Sequence, residues 1–384
     1  MKIYNNFTLK KESVNLNKPI GIYVCGITPY DTTHLGHAFT FITYDVLVRY
    51  LRFAGAKVSF VQNVTDIDDD ILMRAKKLNL NWKTLAVRET KKYLGDMKNL
   101  NMLPFDHFPK ATENIEEILD IVKVLIKQGF AYTVNGSVYF EVKKYKNFGK
   151  LCKLDYPAML ALANERGNYP EDQNKKDPLD FILWQAHKED EPYWQSPWGK
   201  GRPGWHIECS AMSMKFLGKT ITIHGGGEDL IFPHHEAEIA QSENYSRQQF
   251  VKIWMHAAMV YCGEKKMSKS LGNMIFVSDL LLKYHPNVIR VMLLNRSYKK
   301  AWNYCKEEIE KAVEITSQIT PKKGAKVLNY TRLKKTFPAI IASFEDDFKT
   351  EEVIQSLVKI AKEKTKYKEE ILTTAGEILG LQFS

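Results

Sequence analysis

Residues 21–61 impose the strongest constraint on what this chain can fold into. Gly21-Ile22-Tyr23-Val24-Cys25 is a short β-branched and aromatic run closed by Gly26 and Pro29, the pattern of a strand that ends in a turn. Ala38 to Arg52 then places Phe41, Ile42, Val46, Leu47 and Tyr50 at helical spacing. A second apolar run, Val58-Ser59-Phe60-Val61, is bounded by Gly55 and by the polar Asn63-Val64-Thr65-Asp66. A strand, a helix and a strand in that order favour a parallel pair with a right-handed crossover. The expected fold class is therefore α/β, built on a Rossmann-like parallel sheet.

At 384 residues the chain exceeds the usual size of one domain, so two or three are expected. With 44% hydrophobic and 26% charged residues it has ordinary globular composition. No apolar run approaches the length of a membrane span, and Met1-Lys2-Ile3-Tyr4-Asn5 lacks the apolar core of a signal peptide. A soluble, cytoplasmic monomer is the expectation. Cysteines at 25, 152, 209, 262 and 305 are too scattered for a disulfide framework and suit reduced thiols, some of them ligands. A net charge of +10 fits a polyanionic partner, but a lysine-rich composition explains it equally well.

Downstream, Thr112 is placed to cap a helix carrying Ile115, Ile118, Leu119, Val122, Leu125 and Ile126, which ends before Gly129. Asn135-Gly136 signals a type I′ hairpin within 130–142. These features make 96–179 an inserted connective region between two halves, 1–95 and 180–304, of a nucleotide-binding domain. The tail of the insert, Asn168 to Pro178, is polar and reads as an exposed loop. Thr220–Ile223 and Phe250–Ile253 read as returning strands, and 305–384 as a helical domain.

Two motifs carry candidate chemistry. His34-Leu35-Gly36-His37 sits at the turn before the first helix, where backbone N–H groups and imidazoles can receive an anion. Far downstream, Lys266-Met267-Ser268-Lys269-Ser270 lies between Gly263 and Gly272, which suits a loop that closes over a ligand. Its two ammonium groups can neutralise a leaving pyrophosphate. Either motif alone is weak, since chance histidine pairs and solvated basic loops are common; together they are specific.

The two resemble the HIGH and KMSKS signatures of class I aminoacyl-tRNA synthetases. Tyr23-Val24-Cys25-Gly26, Asn63 to Asp69, Gly201-Arg202-Pro203-Gly204-Trp205-His206-Ile207-Glu208-Cys209-Ser210 and His224-Gly225-Gly226-Gly227 through Phe232-Pro233-His234-His235-Glu236 are similar to cysteinyl-tRNA synthetases and their relatives. The likeness covers nearly all of residues 18–384. It implies a zinc site of Cys25, Cys209, His234 and Glu238, a donor set that suits Zn²⁺, with His234 and Glu238 at i, i+4 on one side of a helix. It also implies an amino-acid pocket of Thr65, Trp205 and Asp229. Mg-ATP would meet His34, Gly36, His37, Gly225, Gly226, Gly227, Lys266, Ser268 and Lys269. Of these, His34, His37, Lys266 and Lys269 would stabilise charge in flight.

A metal explains how cysteine is told from serine. Packing separates side chains one atom apart by only about 10–200-fold. A thiolate bonded to zinc is a different test, because zinc prefers soft sulfur to a hydroxyl. The expected reaction joins L-cysteine to AMP and passes the cysteinyl group to an acceptor.

The acceptor is divided. Cysteinyl-tRNA synthetases carry a small anticodon-binding domain after the helical part, and here the chain ends about where that domain would start. Gly26-Ile27-Thr28-Pro29-Tyr30-Asp31, Val61-Gln62-Asn63, Met159-Leu160-Ala161-Leu162, Glu165-Arg166-Gly167 and Phe276-Val277-Ser278 lean toward the mycothiol cysteine ligases, which acylate an amino sugar. Glu238 within Glu236-Ala237-Glu238-Ile239-Ala240-Gln241-Ser242 leans back to tRNA(Cys). The tRNA reading is preferred and the small amine is the alternative. A non-catalytic paralogue would tolerate decay of motifs that are all intact here.

Overall fold

The computed structural model describes residues 1–383 except Thr32, Glu264 and 267–272, with Lys265 and Lys266 described at the backbone alone. At its centre is a parallel sheet in the order Val251–Ala257, Ile221–Gly227, Ile20–Ile27, Val58–Val64. The α/β expectation therefore holds.

The helix Leu35–Phe53 makes the first crossover and is apolar on nearly every side, because it lies between the sheet and the C-terminal helices. It starts three residues earlier than the periodicity indicates. The reason is its cap: His34 Nδ1 accepts the His37 N–H at 3.3 Å, a role that Ser, Thr, Asp or Asn usually fills. Leu35, Gly36 and His37 are thus the helix's first turn rather than a turn before it. A second crossover, Glu236–Ser246, joins the strands Ile221–Gly227 and Val251–Ala257.

The outer edge of Val251–Ala257 is covered by the N-terminal hairpin. Asn6 donates its N–H to the Trp254 carbonyl at 2.9 Å, and the Asn5 side chain bonds both Lys252 and Trp254. An open edge is thereby closed to intermolecular pairing.

A four-stranded antiparallel sheet, Ala131–Val134, Ser137–Phe140, Phe181–Ala186 and Gly201–Pro203, has its own apolar core. Its first turn has Asn135 and Gly136 both at positive φ, as a type I′ turn requires. The helix beside it runs Ile115–Lys127, yet Thr112 does not cap it. Thr112 instead donates its N–H and hydroxyl to the Asp66 carboxylate at 3.0 and 2.6 Å, which pulls it out of the helix axis. Nor is 168–178 a plain exposed loop: Tyr139 and Tyr156 donate hydroxyls to Asp172 and Asp177, so its polar residues serve the neighbouring aromatics. Five helices between Lys306 and Ile378 complete the chain.

Candidate active site

The site lies at the C-terminal ends of the parallel strands, where doubly wound sheets receive ligands. Cys25 stands near the end of Ile20–Ile27, displaced from simple pairing by a register shift between Val24 and Ile27. Cys209 projects from the helix Trp205–Leu217. His234 and Glu238 come from the connection after Ile221–Gly227. Phe232 is extended there (φ −140°, ψ 137°), so His234 lies in a kinked turn before the helix that carries Glu238. The i, i+4 pair still meets: His234 Nε2 is 3.2 Å from Glu238 Oε1.

The donor atoms of Cys25, Cys209, His234 and Glu238 lie within 4.8 Å of one another, all buried. Cys25 Sγ is 3.4 Å from Glu238 Oε1. Burial, then the Cys209 thiol and Glu238 beside it, push the Cys25 thiol well above its usual range. Burial also raises the Glu238 carboxyl. Protein alone thus holds both neutral, whereas a buried dication favours their ionised, ligating forms. Among the described residues Glu238 Oε2 makes no hydrogen bond, with the His224 ring nitrogen 3.4 Å away. Two thiols, an imidazole and a carboxylate with a spare oxygen fit Zn²⁺.

Three further imidazoles surround the cluster and were quoted in the motifs above without a role. His206 Nδ1 is 2.9 Å from His234 Nδ1, His235 Nε2 is 3.3 Å from Cys25 Sγ, and His224 Nε2 is 3.5 Å from the same sulfur. His235 Nδ1 in turn meets His256 Nε2 at 2.8 Å. Burial holds His206, His224 and His256 down to about 3, so these rings are neutral. His224 and His235 form, with Cys25 and Glu238, a second donor set of the same size. The first set has two thiols and is the better zinc site; neutral imidazoles bonded around it orient its ligands. The signal for them was their placement in the same motifs as Cys209 and His234.

Trp205 stacks on His234 with ring centroids 4.3 Å apart at 25°, which brings it against the cluster. Thr65 is buried just beyond Val58–Val64 and its hydroxyl accepts from Asn63 Nδ2 at 3.4 Å. Asp229 sits in the short turn Glu228–Leu230 that follows the glycines.

The glycines have different reasons. A Cβ at Gly225 would fall 1.7 Å from the Met255 carbonyl oxygen, inside the neighbouring strand. At Gly226 it would press on the tip of Leu230, at 2.7 Å, and at Gly227 on the Asp229 carboxylate at 2.5 Å. Gly225 is thus required by sheet packing.

His34 and His37 stack with centroids 3.7 Å apart at the head of the first helix. Ile275 accepts the Leu35 N–H at 2.8 Å, and Val277 donates to the Thr33 carbonyl at 3.0 Å. The segment just after the lysine motif therefore lies against the histidine motif. Lys266 ends a short strand paired with Tyr261. Ser268 and Lys269 lie outside the described residues.

The family of class I (C) tRNA synthetase catalytic domains matches residues 11–314. A cysteine–tRNA ligase of Aquifex aeolicus is 42% identical, over 96% of this chain and 77% of its own. The chain belongs to this family. A cysteine–tRNA ligase of Persephonella marina is 41% identical over 98% of this chain and 80% of its own. Among solved structures, methionyl-tRNA synthetase of Mycobacterium tuberculosis, in complex with methionyl-adenylate, superposes with a TM-score of 0.65. It covers 94% of this chain and 89% of its own at 14% identity, a likeness of fold. The synthetase family thus accounts for the parallel-sheet fold. Among the described residues no helix is long and apolar enough to cross a membrane.

Proposed function

We propose that this chain activates L-cysteine with Mg-ATP to cysteinyl-adenylate and transfers the cysteinyl group to tRNA(Cys). The observation that carries the reading is the buried Cys25, Cys209, His234 and Glu238 cluster, with Trp205 stacked on its histidine, in a cysteine–tRNA ligase family member. Zn²⁺ held by those four residues would take the substrate thiol as thiolate and reject serine.

Thr65, Trp205 and Asp229 then line the amino-acid pocket, with the Asp229 carboxylate suited to the substrate ammonium. The carboxylate oxygen of cysteine attacks the α-phosphorus, and the bond to the bridging oxygen of pyrophosphate breaks. His34 and His37, on the helix N-terminus, donate to phosphoryl oxygens as charge builds there. Gly36, Gly226 and Gly227 leave room beside them for the nucleotide, with Gly225 shaping the strand below. Lys266, Ser268 and Lys269 neutralise the departing pyrophosphate. The terminal ribose hydroxyl of tRNA then attacks the mixed anhydride and expels AMP.

The division of labour follows the chain: a catalytic domain at 1–95 and 180–304, a connective insert at 96–179, and a helical domain at 305–384. The enzyme is proposed to act as a cytoplasmic monomer.

One experiment tests the whole reading. The purified chain is given ³⁵S-cysteine, ATP and either total tRNA or candidate amines. Label in the tRNA fraction, dependent on ATP, is expected. Label only in an amine product would replace the acceptor, and no cysteine-dependent ATP–pyrophosphate exchange would remove the activity itself.

A further inference from the structure

The insert and the metal-bearing turn hold one another by two reciprocal latches. From the insert, Arg166 ends the helix Tyr156–Glu165, and its Nη1 donates to the backbone carbonyls of both Asp229 and Phe232. From the turn, Glu236 Oε2 accepts the N–H groups of Leu151 at 2.8 Å and Cys152 at 3.0 Å. Glu236 is fully buried.

The turn needs such support. Extended backbone at Phe232 interrupts the helical ladder between Glu228–Leu230 and Glu236–Ser246. Carbonyls beside such a break require donors from elsewhere. One guanidinium, planar and always charged, meets two of them at once. Phe232 itself is buried in the insert's core with Met159 and Ala163, and its ring meets Phe148 edge-on at 6.1 Å. The two carbonyls bracket Asp229 to Phe232, two residues before His234, so the approach to the metal-site histidine is held from the insert.

We infer that Arg166 is a positioning residue for the amino-acid site. By fixing the carbonyls of Asp229 and Phe232, it holds the Asp229 carboxylate and the His234 imidazole at their working distance from Trp205 and Cys25. This inference rests on the reading that cysteine binds there. The proposed ATP contacts at the head of the Leu35–Phe53 helix lie outside the latch and Gly226 and Gly227 precede it on the sheet strand, so the larger effect of its loss falls on cysteine.

The test uses the full-length chain with Arg166→Met, which keeps the aliphatic stem, and Arg166→Lys, which keeps one charged donor. In cysteine-dependent ATP–pyrophosphate exchange, R166M is expected to raise KM for cysteine about tenfold or more while KM for ATP stays within about twofold. R166K should fall between R166M and wild type, because an ammonium keeps a charged donor but sits on a shorter stem and lacks the rigid planar fork. Unchanged cysteine KM in R166M, or equal losses for cysteine and ATP, overturns the inference. Should R166M fail to fold, R166K decides by the same split. A wild type without exchange refutes the proposed activity instead; zinc retention on dialysis then reads the latch. Faster zinc loss from R166M than from wild type upholds it, and equal retention overturns it.

Discussion

Arg290 and Asp45 form a fully buried ion pair 2.6 Å apart, joining the helix that begins at the histidine motif to the helix Pro286–Leu294. The same guanidinium donates to the carbonyls of Leu379 and Leu100 at 2.8 Å each. It lies flat against Gly380, where an added Cβ would come 2.1 Å from Nη2. One side chain thus ties three distant segments to the Leu35–Phe53 helix.

Replacing it strands those partners. Arg290→Met removes the charge that Asp45 faces and leaves two buried carbonyls short of a donor. Arg49, 3.0 Å from Asp45, keeps part of the compensation. The expected loss is about 3 kcal/mol, the lower end for breaking a buried pair from one side. Urea unfolding would show it as a lower midpoint at unchanged slope. A midpoint equal to wild type would mean that the network contributes no net stability.

Cys209 and Cys152 offer a matched comparison. Cys209 is buried with its sulfur in the donor cluster, whereas Cys152 is half-buried, belongs to neither donor set, and donates its backbone N–H to Glu236. Cys209→Ser should lose stoichiometric zinc and about 100-fold or more in cysteine-dependent exchange. Cys152→Ser should stay within about twofold of wild type, since no metal donor changes. Metal content and exchange rates check both; like behaviour of the two variants would contradict the ligand assignment.

What was legible in the sequence was what is local. The apolar runs at 21–25 and 58–61 and the helical spacing between them specify a crossover, because burial on both faces needs continuous hydrophobicity. Asn135-Gly136 specifies its hairpin because few other residues accept two positive φ values in succession. The start of the first helix was missed because the capping group is an imidazole, and Thr112 misled because its hydroxyl found Asp66 first. The metal cluster lies at the other extreme: Cys25 and Glu238 are 213 positions apart, and only the family motifs, not spacing, pointed to their meeting. The imidazoles of His206, His224, His235 and His256 have no sequence pattern of their own. Their role becomes visible only when the fold brings His224 and His235 to the Cys25 sulfur, His206 to His234 and His256 to His235.

The triglycine separates packing from ligand binding. At Gly225 the obstacle is the Met255 backbone carbonyl, which cannot move without unzipping the strand pair. At Gly226 it is the end of a leucine side chain. Gly225→Ala should therefore cost about 3 kcal/mol or prevent folding, while Gly226→Ala costs about 1 kcal/mol. Thermal melting of the two variants side by side is the check. A G225A protein that melts like wild type but binds ATP weakly would reverse the assignment and make that glycine a nucleotide contact.

Asp68 supplies a test against pH. Its carboxylate caps the helix Asp69–Lys77 by accepting the Asp70 N–H at 2.9 Å. Burial is the main cause that pushes its carboxyl up to about 6, and the neighbouring Asp70 and Asp69 add to it. The native state thus holds this proton more tightly than the unfolded chain, whose carboxyl titrates near its ordinary value of about 3.9. Stability from this group is whole below about pH 4 and is lost as pH rises through about 6, where a buried charge must be carried. Asn at this position keeps a capping oxygen and cannot ionise. Asp68→Asn should match wild type near pH 4 and exceed it by roughly 1–2 kcal/mol at pH 7.5, a discounted value because the side chain is not fully enclosed. Paired melting curves from pH 4 to 7.5 measure the gap. If D68N is instead the less stable protein at pH 7.5, the ionised carboxylate is being held by a cation, Arg202 being the nearest candidate, and burial is not the dominant influence.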